Sequence, residues 1–177
     1  LYLILAAFLI NNSALAKTIY VDSESVQKAD GTSWTSAFLT IQDGIDDAVH
    51  GDHIIVRPRT SPYGSTSRVN ISDRDYCVAI TNDIIVSKEN GSSLPLILDA
   101  SDTATCVYMT DGTLEDFILI NGSGSNGGGA HLNGGGLLSR CLLSDNNSVN
   151  GGGAYLFGNA DMQDCLIVDN NATSRGG

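Results

Sequence analysis

Apolar and polar positions in the last third of this chain follow a pattern that returns every 24 residues. Gly128-Gly129-Ala130-His131-Leu132 comes back as Gly152-Gly153-Ala154-Tyr155-Leu156, and Gly176-Gly177 opens a third copy. Leu114 maps onto Leu138 and Met162, Phe117 onto Cys141 and Cys165, and Leu119 onto Leu143 and Ile167. The register is expected to run without insertion or deletion from about residue 104 to the last residue. A fixed period of this length is the mark of a solenoid, in which each repeat is one coil stacked on the next.

Within one coil, Cys141-Leu142-Leu143 reads as a short strand, Asp145-Asn146-Asn147 as a turn and Gly153-Ala154-Tyr155-Leu156 as a second strand. Alternation at period two puts Leu138, Cys141, Leu143, Ala154 and Leu156 inward. Residues 61–110 carry shorter strand-like runs, Cys77 to Ile80, Ile84 to Val86, Leu96 to Leu98 and Cys106 to Met109, expected to form irregular early coils. Before them, Thr18 to Asp22 reads as a strand. Ala37, Phe38, Ile41, Ile45, Ala48 and Val49 recur at helical spacing, predicting about three turns of helix with Thr35 or Ser36 as N-cap. Asp52 to Val56 is the next strand. Residues 17–60 thus form a strand–helix–strand unit suited to capping a solenoid whose first coil would otherwise expose strand edges. Residues 61–177 form the coils.

Stacking turns equivalent positions into columns, and the columns absorb much that could pass for a functional motif. Asn146 and Asn170 align at a turn, as do Asp145 and Asp169. Stacked amides can pass a hydrogen bond from coil to coil. Asp116, Arg140 and Asp164 align one residue before the Phe117/Cys141/Cys165 column, where opposite charges attract weakly at an exposed surface. A place that accepts Phe or Cys is an inward apolar place, so stacked buried thiols are favoured over a disulfide.

Residues 1–16 stand apart. They carry no charge, hold an apolar run from Leu1 to Ile10 and end on Ala14-Leu15-Ala16. This is the pattern of a secretory signal peptide cleaved before Lys17, and the run is too short to anchor in a membrane. The expected mature chain then has no transmembrane helix. With no initiating Met and a last residue inside a repeat, the sequence is expected to be part of a longer exported protein. The net charge of −11 falls entirely after residue 16. It argues against nucleic acid and anionic membranes as partners.

Ile19-Tyr20-Val21-Asp22, Gly31-Thr32-Ser33-Trp34, Ala37-Phe38, Ile41-Gln42, Gly51 to Val56 and Tyr63 resemble the N-terminal region of bacterial secreted right-handed parallel β-helix proteins of the pectate-lyase-like superfamily. The Gly-Gly-Ala motifs at 128–130 and 152–154, with Leu143-x-x-Asn146 and Ile167-x-x-Asn170, resemble the repeats of polymorphic outer-membrane proteins, with Leu and Ile where those carry Phe. The two resemblances cover nearly the whole chain after residue 16. They imply a single right-handed parallel β-helix, all-β, with a short helical cap. They leave activity open, since this fold hosts lyases, hydrolases and adhesins alike.

Candidate chemistry is thin. Gly122 to Gly127 matches G-x-G-x-x-G, but a dinucleotide site needs a helix to begin there, and another strand follows instead. His50 and His53 lie near Asp46, Asp47 and Asp52 without a well-spaced third ligand. His131 falls where Tyr155 falls one coil later, an outward place. Asp99, Asp102, Asp145 and Asp169 are weak Ca²⁺ candidates, and Asp111 and Glu115 lie near them in sequence. Resemblance to pectate lyases implies Ca²⁺ on carboxylates with a basic residue as proton acceptor. Lys88, Arg57, Arg59, Arg68, Arg74, Arg140 and Arg175 are the basic residues at hand. Arg57 and Arg59 read as a solvated turn around Pro58. No cluster converges, so no cofactor is expected beyond that Ca²⁺. The reading is a non-catalytic exported or cell-surface β-helix that presents a lateral surface to polysaccharide or a host or cell-surface ligand. The alternatives are a polysaccharide lyase or hydrolase and an autotransporter-type passenger.

Overall fold

The computed structural model describes residues 15–26, 29–64 and 68–176. The segment read as a signal peptide lies outside them except for Leu15 and Ala16. The chain is a parallel β-helix. One sheet runs its whole length: β1 (Thr18–Val21), β2 (His53–Val56), β5 (Ile85–Lys88), β8 (Thr113–Glu115), β12 (Leu137–Ser139) and β16 (Asp161–Gln163). A second holds β6 (Leu96–Asp99), β9 (Phe117–Ile120), β13 (Leu142–Ser144) and β17 (Leu166–Val168). A third holds β10 (Ser123–Asn126), β14 (Asn147–Asn150) and β18 (Asn171–Arg175). The fourth holds β3 (Val69–Ile71), β4 (Arg74–Ile80), β7 (Thr105–Met109), β11 (Ala130–Gly134) and β15 (Ala154–Gly158). A regular coil therefore has four short strands, not the two expected, because each corner costs a ladder position and divides the apolar runs.

Three of those corners use the left-handed region. Asp116, Arg140 and Asp164 have φ of 63°, 53° and 53°. Asn121, Asp145 and Asp169 have φ of 53°, 57° and 53°. Asn and Asp tolerate this conformation better than other L-residues, which accounts for most of these choices. At the third corner stand Gly127, Gly151 and Gly176, with φ of 63°, 60° and 63°. A Cβ on Gly127 would sit 1.9 Å from the Ala130 carbonyl oxygen, so only glycine fits.

The period is not unbroken. Val107 pairs with Ala130, a step of 23, because the turn before Thr113 is one residue shorter than the one before Leu137. From Thr113 the step is 24 as far as Ser148, which pairs with Ala172. Asn150 then pairs with Arg175, so β18 carries one extra residue. The third glycine corner is accordingly Gly176, with Gly151 N donating to Arg175 O (2.6 Å) and Gly152 N to Gly176 O (2.9 Å).

Leu114, Leu138, Phe117, Leu119, Leu143, Ala130 and Leu132 are buried in one core that runs up the inside of the coils. Leu156 and Ile167 hold the places of Leu132 and Leu143 one coil later. They are 40% and 45% exposed, because no strand stacks above them among the described residues. Cys141 is buried in the same column as Phe117, and Cys141 N donates to Cys165 Sγ (3.4 Å). All four cysteines stand as free thiols. Inside the next corner, Gly122 N donates to Asn146 Oδ1 (2.8 Å) and Asn146 N to Asn170 Oδ1 (3.0 Å). Asn146 Nδ2 donates to Asn170 Oδ1 (2.9 Å) and to Leu119 O (3.0 Å), and Asn170 Nδ2 to Leu143 O (2.9 Å).

The cap departs from its expected boundaries. The helix α1 (Ile41–Asp47) has two turns and starts at Thr40, whose side chain accepts from Asp43 N (3.1 Å). It cannot begin at Thr35 or Ser36, because Phe38 is held extended against β1: Phe38 N donates to Tyr20 O and Asp22 N to Phe38 O. Ala37 is buried there, and Val49, past the helix end, is exposed. One hairpin escaped the sequence reading. β3 and β4 pair antiparallel around Ser72-Asp73, both with positive φ, the signature of a two-residue type I′ turn.

Replacing Asn146 by Ala leaves the buried Gly122 N–H and Leu119 carbonyl without their partner. We expect roughly 2–4 kcal/mol of destabilisation from those two groups. Asn170→Ala, half-exposed, should cost less than about 1.5 kcal/mol because water can replace the amide. Urea midpoints at constant m-value measure both, and equal losses would sink the ladder's role. Burial pushes the Cys77 thiol up to about 11 and Cys141 up to about 12. Their native protons are held while the unfolded chain loses its own, so stability is full below the ordinary thiol value of roughly 8.5 and declines as pH rises beyond it. Cys141→Ala should flatten that alkaline decline in denaturation curves taken between about pH 8 and pH 11.

Candidate functional site

The aligned charges sit on corners, and the corner geometry decides what they do. Arg140 Nε donates to Asp116 Oδ1 (2.9 Å) and Nη2 to Asp116 Oδ2 (3.0 Å), and Nη2 also meets Glu115. Its hydrogen bonds to Asp116, then to Glu115, raise the guanidinium's already high pKa further. Arg140 is half-exposed, so the pairs contribute at most about 1 kcal/mol. Asp164 is exposed and takes no part in this pairing.

The four carboxylates weighed for Ca²⁺ are not brought to one point. Asp99 Oδ1 accepts from Ser101 N (2.8 Å) and Asn121 Nδ2 (3.0 Å). Asp102 lies beside Asn121, its N–H donating to Asn121 O (2.7 Å). Asn121 separates it from Asp145 and Asp169, which follow at the same corner. Among the described residues no group of three His, Cys, Asp or Glu side chains could hold a metal ion. His50 Nδ1 faces Asp83 (3.4 Å), whereas His53 Nε2 meets Ser87 Oγ (2.6 Å), so the two imidazoles have different partners. The glycine-rich stretch 122–127 forms strand β10.

Arg57 and Arg59 are not a solvated turn. Arg57 makes a bidentate pair with Glu89, both contacts 3.0 Å, and its guanidinium lies 3.8 Å over the Trp34 ring. Arg57 and Arg59 both reach Asp22, and Arg59 also meets Glu24 (2.8 Å). Burial raises the Asp22 carboxyl pKa, but Arg59, the Glu24 N–H and Arg57 outweigh it and hold the carboxyl below its ordinary value. The sequence reading missed this because the partners lie more than thirty positions away, at 22 and 89.

The outer face of the fourth sheet carries a feature that sequence columns nearly gave. Tyr108, His131 and Tyr155 are in register on β7, β11 and β15. Tyr108 and His131 meet edge-on with ring centroids 5.3 Å apart, and His131 and Tyr155 at 5.6 Å. Tyr76 packs on Tyr108 at 4.9 Å, and its hydroxyl is 3.0 Å from His131 Nδ1. Ala79, Val69 and Ile71 complete a small apolar cluster separate from the core. His131 is thus outward, as expected, yet only 6% exposed. Two residues along, Asn133 Nδ2 donates to Tyr108 OH (3.5 Å), and Phe157, its partner in register on the end strand β15, is 62% exposed. The repeating spacing of Tyr108, His131 and Tyr155, 23 and then 24, was the available signal. Beside this face a shallow polar groove is lined by Arg74, Asp75, Thr103, Ser123, Ser125 and Asn126.

Arg57, Arg59 and Arg140 are engaged with carboxylates, and Arg68 reaches Gly64 O and Ala100 O. The Tyr76–His131 pair is shielded from a polymer by the rings around it. Tyr155 is half-buried and Phe157 exposed on β15, the end strand of this sheet among the described residues.

Burial, with Arg74 nearby, lowers the pKa of His131. The neutral imidazole is the native form, so its contribution is full above the ordinary value of roughly 6.5 and is lost as pH falls below it. His131→Phe should weaken the fall in thermal stability between about pH 6.5 and pH 4.5. An unchanged slope would place the acid sensitivity elsewhere.

No protein-family model and no curated protein matches the chain. Among solved structures, a rhamnogalacturonan lyase is similar, with a TM-score of 0.58 at 14% identity. The match covers 86% of this chain and 51% of that one, so the chain spans about half of the lyase's length. At this identity the likeness establishes the shared parallel β-helix fold.

Proposed function

We propose that this chain is the ligand-presenting part of an exported, non-catalytic β-helix protein, and that the outer face of its fourth sheet contacts carbohydrate. The observation that carries the reading is the in-register aromatic column Tyr108–His131–Tyr155 on that face. Aromatic faces bury apolar area at low conformational cost, and neighbouring polar groups give orientation. The buried members, Tyr76, Tyr108 and His131, back Tyr155 through the His131 ring, which lowers the entropy lost on binding. The structural likeness to a polysaccharide-cleaving enzyme supports a saccharide ligand as a class. The cap arginines and Arg140 are occupied by carboxylates, which favours binding over proton abstraction. Export is supported by the apolar run and the Ala14-Leu15-Ala16 motif.

The test is titration of the protein with soluble pectic and neutral oligosaccharides, followed calorimetrically. Phe157→Ala and Tyr155→Ala are expected to weaken binding roughly fivefold to tenfold each, as an aromatic contact contributes about 1 kcal/mol. Circular dichroism should stay unchanged. Appearance of unsaturated products from polyuronates with Ca²⁺ present, persisting through purification, would replace this reading by a lyase.

A further inference from the structure

Asp52 is a carboxylate with no exposed surface and no cationic side chain paired with it among the described residues. Its Oδ2 accepts from Val49 N (2.9 Å) and its Oδ1 from the main-chain nitrogen of Lys17 (2.9 Å). The Lys17 side chain pairs instead with Asp47, its Nζ 2.7 Å from Oδ2. A buried carboxylate without a counter-charge is costly, and two neutral N–H groups offset only part of that cost.

The missing cation is one bond away. Lys17 follows Ala14-Leu15-Ala16, the small-residue motif read as a cleavage site. Leu15, Ala16 and Lys17 are exposed, Leu15 by 93%, so the Ala16–Lys17 peptide bond is open to a protease. We propose that this bond is a processing site and that Asp52 is the preformed receptor for the amino terminus it releases. An endopeptidase that cuts after small residues adds water across the bond. The Ala16 carbonyl takes the water's hydroxyl and the Lys17 nitrogen its proton, and the new carboxyl's proton then passes to the amine, leaving a carboxylate on Ala16 and an α-ammonium on Lys17. That nitrogen already lies 2.9 Å from Asp52 Oδ1, so a neutral hydrogen bond becomes a charge-assisted ion pair without rearrangement.

The pair would lock β1 at the start of the stack. Lys17 O already accepts from His53 N (3.0 Å), and Thr18 is in register with His53. Asp52 also closes the turn after α1, through Asp52 N to Val49 O (3.0 Å). Cleavage would therefore couple maturation to the stability of the cap. The other charged groups at this end are Lys17 Nζ with Asp47, His50 with Asp83, and His53. The inference rests on the export reading but can fail separately from it.

The protein exported by its host cell is purified, and its amino terminus is identified by mass spectrometry. Lys17 is expected, and a different first residue overturns both the processing site and the latch. Competitive acetylation across pH then reads the α-amino group of the folded protein. A pKa at least one unit above the ordinary α-amino value of roughly 7.7–8.0 is expected, a tenfold gain in proton affinity. An ordinary value in a chain that begins at Lys17 overturns the latch and leaves export intact. Because the folded pKa is raised, the added stability is present below about pH 7.7 and lost as pH rises through the folded value. Asp52→Asn should return the amine to its ordinary value and remove that pH-dependent gain. If this variant does not fold, the acetylation profile of the native protein still decides.

Discussion

Everything in this structure depends on coils stacking in register through parallel ladders. Between neighbouring coils the strand N–H and C=O groups satisfy one another, so a residue sits directly over its counterpart. The same corner must then take the same unusual conformation in every coil. Asp116, Arg140 and Asp164 share one left-handed corner, Asn121, Asp145 and Asp169 the next, and Gly127, Gly151 and Gly176 the third. The extra residue in β18 is tolerated because it is absorbed inside a strand and the glycine still reaches its corner.

That constraint explains why so many chemically suggestive residues are structural. Aspartates accumulate at corners because their short polar side chains tolerate positive φ. Asn146 and Asn170 are buried or half-buried amides that satisfy the N–H groups and carbonyls a tight inward turn leaves open. Cysteine at 141 and 165 fills an apolar place in the column of Phe117. Chemistry directed outward is left to the sheet faces, where a residue is free of the interior. There the aromatic column on the fourth sheet stands out, since its rings support each other from Tyr108 through His131 to the half-buried Tyr155.

The cap follows a different logic. Among the described residues no coil lies beneath it, and long-range polar contacts reinforce its β1–β2 ladder. Asp22 gathers Arg57 and Arg59, Arg57 stacks on Trp34 and grips Glu89, and Asp52 ties Lys17 to the turn after α1. These contacts fix β1 against β2 and seat the first coil, on which every later coil is stacked.

Periodicity alone determined the solenoid, the inward leucines and the stacked Asn and Cys columns, because a ladder in register converts sequence spacing directly into spatial neighbours. The same logic could have flagged Tyr108, His131 and Tyr155. Tertiary structure decided what spacing does not encode. Phe38 bridges to β1 and so sets where α1 begins, and Ser72-Asp73 closes a hairpin outside the repeat. Arg57 finds Glu89, and Asp52 finds the Lys17 nitrogen, across loops of unequal length. Those pairings depend on how the non-repeating chain closes in space, and the separation of two residues along the sequence carries no record of that closure.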